Sequence, residues 1–215
     1  MLKKKPFFVT FEGIEGSGKS YQSNKLYKSI KKKFNSAIKT REPGGTWGAE
    51  KIRKLILTDY FHEDSKIKFG KYTDTLLYLA ARNDHIENKI KPALNQKKIV
   101  ICDRFTDSTL AYQVYGKGVN KNMVDSVHNH ILKDVKPDLT FILKVSIYKA
   151  LQRLKKRKKK NRYDKFSKYF YIKAQKAFIK IAKNNKKRYF ILDNSKDSKE
   201  TEKIILNKFI QVLSK

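Results

Sequence analysis

Residues Gly13-Ile-Glu-Gly-Ser-Gly-Lys19-Ser20 follow the spacing G-x-x-x-x-G-K-[ST], a pattern built to grip phosphate. Gly13, Gly16 and Gly18 let the backbone wind so that successive N–H groups face phosphate oxygens, with Ile14, Glu15 and Ser17 completing the loop. A helix starting near Lys19 adds the positive end of its dipole. In such a loop Lys19 bridges the β- and γ-phosphates of a nucleoside triphosphate and the Ser20 hydroxyl ligates magnesium. Asp103 closes the apolar run "KIVICD", where a strand-terminal carboxylate approaches that same ion. Strands also end in aspartate for turn reasons, so Asp103 gains its meaning from the loop.

The loop specifies a donor and leaves the acceptor open. Three further stretches bear on it: "TREPGGTWG", "LLYLAARND" and "DRFTDSTLAYQ". In a parallel α/β sheet the ligand crevice lies beyond the carboxyl ends of the strands, so Arg41 and Arg104 are expected to converge there with the loop. Two arginines facing a triphosphate site are what a second phosphorylated substrate needs.

Positioning these groups requires a sheet. Phe7–Phe11, Ser36–Lys39, Ile99–Cys102, Leu139–Val145 and Arg188–Leu192 read as buried strands. Helical periodicity spans Lys19–Phe34, Ala49–Leu57, Thr73–Asn95, Lys121–Lys133, Ile147–Lys158, Lys165–Asn184 and Ser198–Leu213, the last opened by Asp197 and Glu200 at capping-box spacing. The alternation predicts an α/β fold of the P-loop NTPase type, a three-layer sandwich whose five-stranded parallel sheet is flanked by helices. Residues 1–215 are expected to form one domain, with a basic lid segment at about 153–164.

A net charge of +31 first suggests a nucleic-acid binder or an enzyme of polyanions. Lysines scattered over every polar helix face, however, describe a solvated surface, whereas a nucleic-acid footprint is clustered. The arginines are few: Arg41, Arg53, Arg82, Arg104, Arg153, Arg157, Arg162 and Arg188. Where lysine supplies generic charge, a retained arginine points to a need for its planar two-pronged donor. Cys102 is the lone cysteine, which suits a reducing compartment and a small buried apolar role. No stretch approaches the length of a membrane span, so a cytoplasmic location without membrane or specific nucleic-acid partners is expected.

Taken together, "FEGIEGSGKS", "TREPGGT", "LLYLAARNDHIENKIKPAL", "DRFTDSTLAYQ", "PDLTFILKV" and "NRYDKF" make the chain resemble the bacterial thymidylate kinases along nearly its whole length. The resemblance implies transfer of the γ-phosphoryl group of ATP, with Mg2+, to the 5′-phosphate of dTMP, giving dTDP for nucleotide biosynthesis, by a homodimer. It gives Arg41 and Arg104 to the dTMP phosphate, Tyr78 to stacking on thymine, and Arg82 to a base oxygen. Ser108 and Gln113 line the base and sugar region, Tyr112 crowds the 2′ position, and Glu15 lies near the acceptor sugar. Arg157 and Arg162 belong to the lid, where one or both reach over the γ-phosphoryl group beside Lys19 and Arg104.

The chain departs from the pattern in four places. Tyr78 stands for the usual Phe, Phe105 for Tyr or His, and Asn161 and Asp164 for Asp and Glu; lysines are inserted around Lys155–Lys160. A phosphate monoester with a second pKa near 6 is already a nucleophile, so no strong base is needed and His62, His85, His128 and His130 read as ordinary polar positions. The alternative is another nucleotide or deoxynucleoside kinase on the same fold. A GTP-dependent switch would need Asn-Lys-x-Asp, and "NKNM" lacks the aspartate.

Overall fold

The structure is a computed structural model that describes residues 5–34, 36–58, 69–158, 161–196 and 199–214. Five strands among them, β1 (Phe7–Glu12), β2 (Ala37–Arg41), β3 (Ile99–Asp103), β4 (Leu139–Lys144) and β5 (Tyr189–Asp193), pair in parallel in the order β2-β3-β1-β4-β5. All six residues of β1 are buried, the continuous apolar reading of a strand covered on both faces. Strand alternation divides them: Phe7, Val9 and Phe11 pack with Leu26, Ile30, Ile205 and Phe209 from α1 (Lys19–Phe34) and α9 (Lys199–Leu213), whereas Phe8 joins Val100, Cys102 and Phe105 on the opposite face. The edge strands carry Lys39, Arg41 and Asp193 in place of apolar residues, which blunts an otherwise open ladder.

Between the strands lie α2 (Trp47–Leu57), α3 (Lys71–His85), α4 (Lys91–Asn95), α5 (Thr106–Thr109), α6 (Lys121–Leu132), α7 (Ile147–Lys155) and α8 (Lys168–Lys183). The single helix expected over Thr73–Asn95 is continuous but widens to π geometry at Ile86–Ile90, where Lys91 N–H reaches back to Ile86. Pro92 follows at once; lacking an N–H, it cannot continue the α ladder. Side chains set the starts: Thr46 caps α2, Asn120 α6, Ser146 α7 and Ser167 α8. α7 ends at Lys155 and α8 opens at Lys168, so both expected lid-flanking helices are shorter, with a 3-10 turn at Arg162–Lys165 between them. The capping box expected at Asp197 lies outside the described residues.

The segment after β3 holds the largest surprise: α5 passes directly into a π segment, Leu110–Gly116. No element is expected from the sequence between Cys102 and Lys121, yet Thr106, Asp107 and Thr109 lie in a helix and are buried. Among the described residues no helix is long and apolar enough to cross a membrane.

Candidate active site

The carboxyl ends of β1, β2 and β3 open into a cleft of about 410 Å³ lined by Glu15, Lys19, Asp103, Arg104, Tyr112 and Gln113, among others. β1 delivers the phosphate loop and α1 begins at Lys19, which places a helix N-terminus under the loop. Lys19 Nζ donates to Ile14 O at 2.7 Å and to Ser17 Oγ at 3.3 Å. Burial, then the nearby Arg104, lowers its pKa to about 7. At Gly16, with φ of +72°, an added Cβ would lie 2.6 Å from Ala150 O in α7, so the loop is seated against the helix that leads to the lid.

Arg104 sits just past β3 with a left-handed backbone, φ of 72°. Its N–H donates to Phe11 O at 2.9 Å, and its guanidinium reaches Gly13 O and Ser108 Oγ at 3.0 Å and Glu15 Oε1 at 2.6 Å. Burial works to lower its pKa, but Glu15 and the surrounding carboxylates raise it, so the cation is permanent. The Tyr112 hydroxyl donates to the other Glu15 oxygen. Glu15 thus joins the phosphate loop to the segment after β3, bringing together Glu15, Arg104, Ser108 and Tyr112. Sequence reasoning missed Glu12, which accepts from Phe105 N–H at 2.7 Å and Ser108 Oγ at 2.6 Å. Burial, then the neighbouring Asp107, raises its carboxyl to about 8. A glutamate inside an apolar strand was the available signal.

Tyr78 and Arg82 lie one turn apart on α3. Tyr78 lines the cleft, with the Tyr163 ring T-shaped to it at 6.1 Å. Arg82 also lines it but is 2% exposed, and its donors are largely committed: Nε to Glu42 Oε2 at 2.8 Å, one terminal nitrogen to Thr109 Oγ1 at 2.9 Å and His128 Nε2 at 2.8 Å, the other to Phe105 O at 3.0 Å. His85 bridges Glu42 Oε1 at 3.1 Å and Thr40 Oγ1 at 2.6 Å. His85 and His128 are therefore buried members of the network that fixes Arg82, not ordinary polar positions; His62 lies outside the described residues. Burial and then Arg82 lower His128 to about 3, keeping it a neutral acceptor. Phe105 is wholly buried against Phe8, ring centroids 5.0 Å apart, with the Arg82 guanidinium over its ring; a tyrosine hydroxyl would have to be satisfied there.

Arginine placement follows a rule. Arg41, Arg53, Arg82, Arg104, Arg153 and Arg157 line the cleft, whereas among the described lysines only Lys19 does. Arg41, at the rim, holds both Glu50 oxygens at 3.0 Å; Arg53, not singled out from sequence, donates to Pro43 O at 2.6 Å. Arg157 pairs with Asp164 at 2.7 Å. Arg162 is not among the cleft residues: it pairs with Asp74, a fully buried carboxylate on α3 that also holds Lys117 at 2.6 Å and the Tyr163 hydroxyl at 3.2 Å. Asn161 and Asp164 form a capping box around the 3-10 turn at Arg162–Lys165. Gln113 donates to the Tyr163 hydroxyl at 3.3 Å.

Ser20 Oγ donates to Asp103 Oδ2, and Asp103 Oδ1 is buried with no partner. Among the described residues no cluster of three His, Cys, Asp or Glu could hold a metal. One hydroxyl and one orphaned carboxylate oxygen fit magnesium, which keeps waters and takes phosphate oxygens rather than a full protein cage.

A phosphate loop, a strand-terminal aspartate beside its serine and a 2-3-1-4-5 parallel sheet define a P-loop nucleotide-binding protein. The profile of the thymidylate kinase family matches residues 11–205. The chain is 39% identical over 205 residues to the thymidylate kinase of Sulfurihydrogenibium sp. (strain YO3AOP1), covering 95% of this chain and 97% of that one. It is also 39% identical over 208 residues to that of Mycoplasma capricolum subsp. capricolum, covering 94% and 95%. The crystal structure of thymidylate kinase from Ehrlichia chaffeensis superposes with a TM-score of 0.74 at 33% identity, over 96% of this chain and 99% of that one. The chain belongs to the thymidylate kinase family.

Two outcomes test the buried network. Arg82→Ala leaves Glu42 and His128 without their guanidinium and is expected to cost roughly 3–5 kcal/mol of stability; a urea midpoint equal to the parent's would refute the lock. His128 binds no proton in the folded state until about pH 3 but ordinarily near 6.5 when unfolded. Stability therefore falls as pH drops between those values, by up to about 1.4 kcal/mol per pH unit. His128→Gln keeps an acceptor without titrating and is expected to flatten the slope between about pH 6 and 4, as read by urea titrations; parallel slopes would overturn the assignment.

Proposed function

We propose that the protein transfers the γ-phosphoryl group of ATP to the 5′-phosphate of dTMP, yielding dTDP and ADP. One observation carries this reading beyond the family assignment: Glu15, inside the donor loop, binds Arg104 at 2.6 Å and the Tyr112 hydroxyl on the acceptor wall. A single carboxylate thereby sets the spacing between two anion-binding regions.

The roles follow from charge and shape. The loop N–H groups and Lys19 receive the triphosphate, while Arg41, Arg53 and Arg104 receive the acceptor phosphate at the far side of Glu15. Tyr78 offers its ring to the base; burial and the adjacent Tyr163 raise its hydroxyl pKa, so the ring stays neutral. Arg82, held rigid by Glu42 and His128, presents the edge of its guanidinium toward a base oxygen, and Ser108 and Gln113 complete that wall. Tyr112 is 3% exposed and held by Glu15, so its ring cannot yield to a ribose 2′-hydroxyl. In the lid, Arg157 reaches the transferring group, and Arg162, held by Asp74, fastens the lid over the base pocket. Magnesium, held by Ser20 and Asp103, offsets charge on the phosphates when bound. Because the acceptor phosphate is already ionised, the chain supplies alignment, charge and exclusion of water, which without the lid would consume ATP.

Tyr72 and Leu76 stand 46% and 50% exposed on the outer side of α3, an apolar strip that supports a homodimer. A single cytoplasmic domain with a lid completes the reading.

An ADP-release assay across dTMP, dUMP, dCMP, AMP, GMP and thymidine is expected to favour dTMP; preference for another acceptor would replace this reading by the nearest alternative, a different nucleotide kinase. Lys19→Ala should depress kcat by orders of magnitude. Tyr112→Ala should narrow the preference for deoxyribose over ribose acceptors, and an unchanged ratio would remove that role.

A further inference from the structure

Asn194, directly after β5, is 4% exposed and makes contacts that none of the chemistry above uses. Its Nδ2 donates to Ser17 O at 2.7 Å, its Oδ1 accepts from Gln22 Nε2 at 3.3 Å, and its own N–H donates to Lys144 O at 2.8 Å. Arg153 of α7 closes the circuit, with one terminal nitrogen on Asn194 O and the other on Gly16 O, each at 2.9 Å. Two consecutive carbonyls of the phosphate loop, Gly16 and Ser17, are therefore gripped by side chains from outside the loop. Gly18, with φ of +90°, brings its Cα so close that an added Cβ would overlap Asn194 Nδ2.

The consequence lies in the planarity of the peptide bond. The carbonyl of Ser17 and the N–H of Gly18 share one plane and point opposite ways, so binding that carbonyl to Asn194 turns the Gly18 N–H away from Asn194. Gly18 is among the residues that line the cleft. We infer that Asn194 and Arg153 form a clamp that sets the phosphate loop in its anion-binding conformation, with Asn194 the positioning residue and Arg153 linking the clamp to the helix that leads to the lid. The inference rests on the kinase reading insofar as the anion is the triphosphate of ATP. An unclamped loop would have to give up conformational freedom on binding, and that loss would fall first on the donor, whose phosphates the loop N–H groups hold. Arg104 and Tyr112 meet the loop at its other end, through Glu15 and Gly13, and take no part in the hydrogen bonds of the clamp.

Steady-state kinetics and calorimetry separate the possibilities. Asn194→Ala is expected to raise KM for ATP and weaken binding of magnesium and the non-hydrolysable analogue AMP-PNP by roughly tenfold, the scale of one lost hydrogen bond, while KM for dTMP stays within about twofold. Arg153→Lys, which keeps the charge but cannot bridge two carbonyls, should shift the same constants in the same direction, and the double variant should lose less than the product of the two. A purely structural Asn194 would lower the thermal midpoint and the active fraction without moving KM for ATP; that result, or unchanged AMP-PNP affinity in Arg153→Lys should Asn194→Ala fail to fold, overturns the clamp. The parent controls for the underlying reading: binding of AMP-PNP with no turnover of dTMP would sink the kinase assignment and leave the clamp standing, whereas no binding would sink both.

Discussion

The ion pair between Arg104 and Glu15 is the constraint on which the cleft depends. A guanidinium and a carboxylate 2.6 Å apart attract by several kcal/mol at the effective dielectric of a partly buried site, on the order of 4. That attraction, with Arg104 N–H on Phe11 O, offsets a left-handed backbone that a residue with a side chain adopts at a cost of about 1–3 kcal/mol. The same pair fixes the phosphate loop relative to α5, because Glu15 belongs to one and the Ser108 partner of Arg104 to the other. Glu12 braces the arrangement from beneath by holding the N–H of Phe105. Four residues from two strand ends thus convert a generic phosphate cradle into a cleft with two ends.

A second organising element is one face of α3. Asp74, Tyr78 and Arg82 are spaced by four and so form a stripe along the helix, completed by His85. The stripe carries the carboxylate that holds Arg162, an aromatic ring and a locked guanidinium in that order. Its partners come from several other segments: Arg162 and Tyr163 from the 3-10 turn, Lys117 after the π segment, Thr40 in β2 and Glu42 after it, Phe105 and Thr109 after β3, and His128 from α6. The 3-10 turn at Arg162–Lys165, the Tyr78 ring and the Arg82 guanidinium are for this reason held on one rod.

Much of this was legible in the residues. Each expected strand lies within two residues of an observed one, because buried parallel strands read as unbroken apolar runs. The phosphate loop follows from spacing, Asp103 gained its reading from that loop and stands beside Ser20, and the scarcity of arginine pointed to where planar donors are needed. What escaped was polar and buried. Thr106, Asp107 and Thr109 give no sign of burial because nothing local reveals that Arg188 and Arg82 await Asp107 and Thr109 across the fold. The resemblance placed Arg157 and Arg162 in a lid with one or both over the γ-phosphoryl group; the pairing of Arg162 with Asp74, 88 residues away, was not legible, because the sequence names a cation and not its partner. His85 and His128 escaped for the same reason.

The division between two kinds of cation has a further meaning. The exterior charge is carried by amines in water, each free to be replaced, acylated or lost at small individual cost, whereas the guanidinium groups are built into walls. Blanket acylation of accessible amines could therefore erase much of the +31 while sparing every fixed arginine and reaching, within the cleft, only the 5%-exposed Lys19. Solubility and recognition are thus written in different chemistry, and the outer coat can drift with its surroundings without the cleft having to follow.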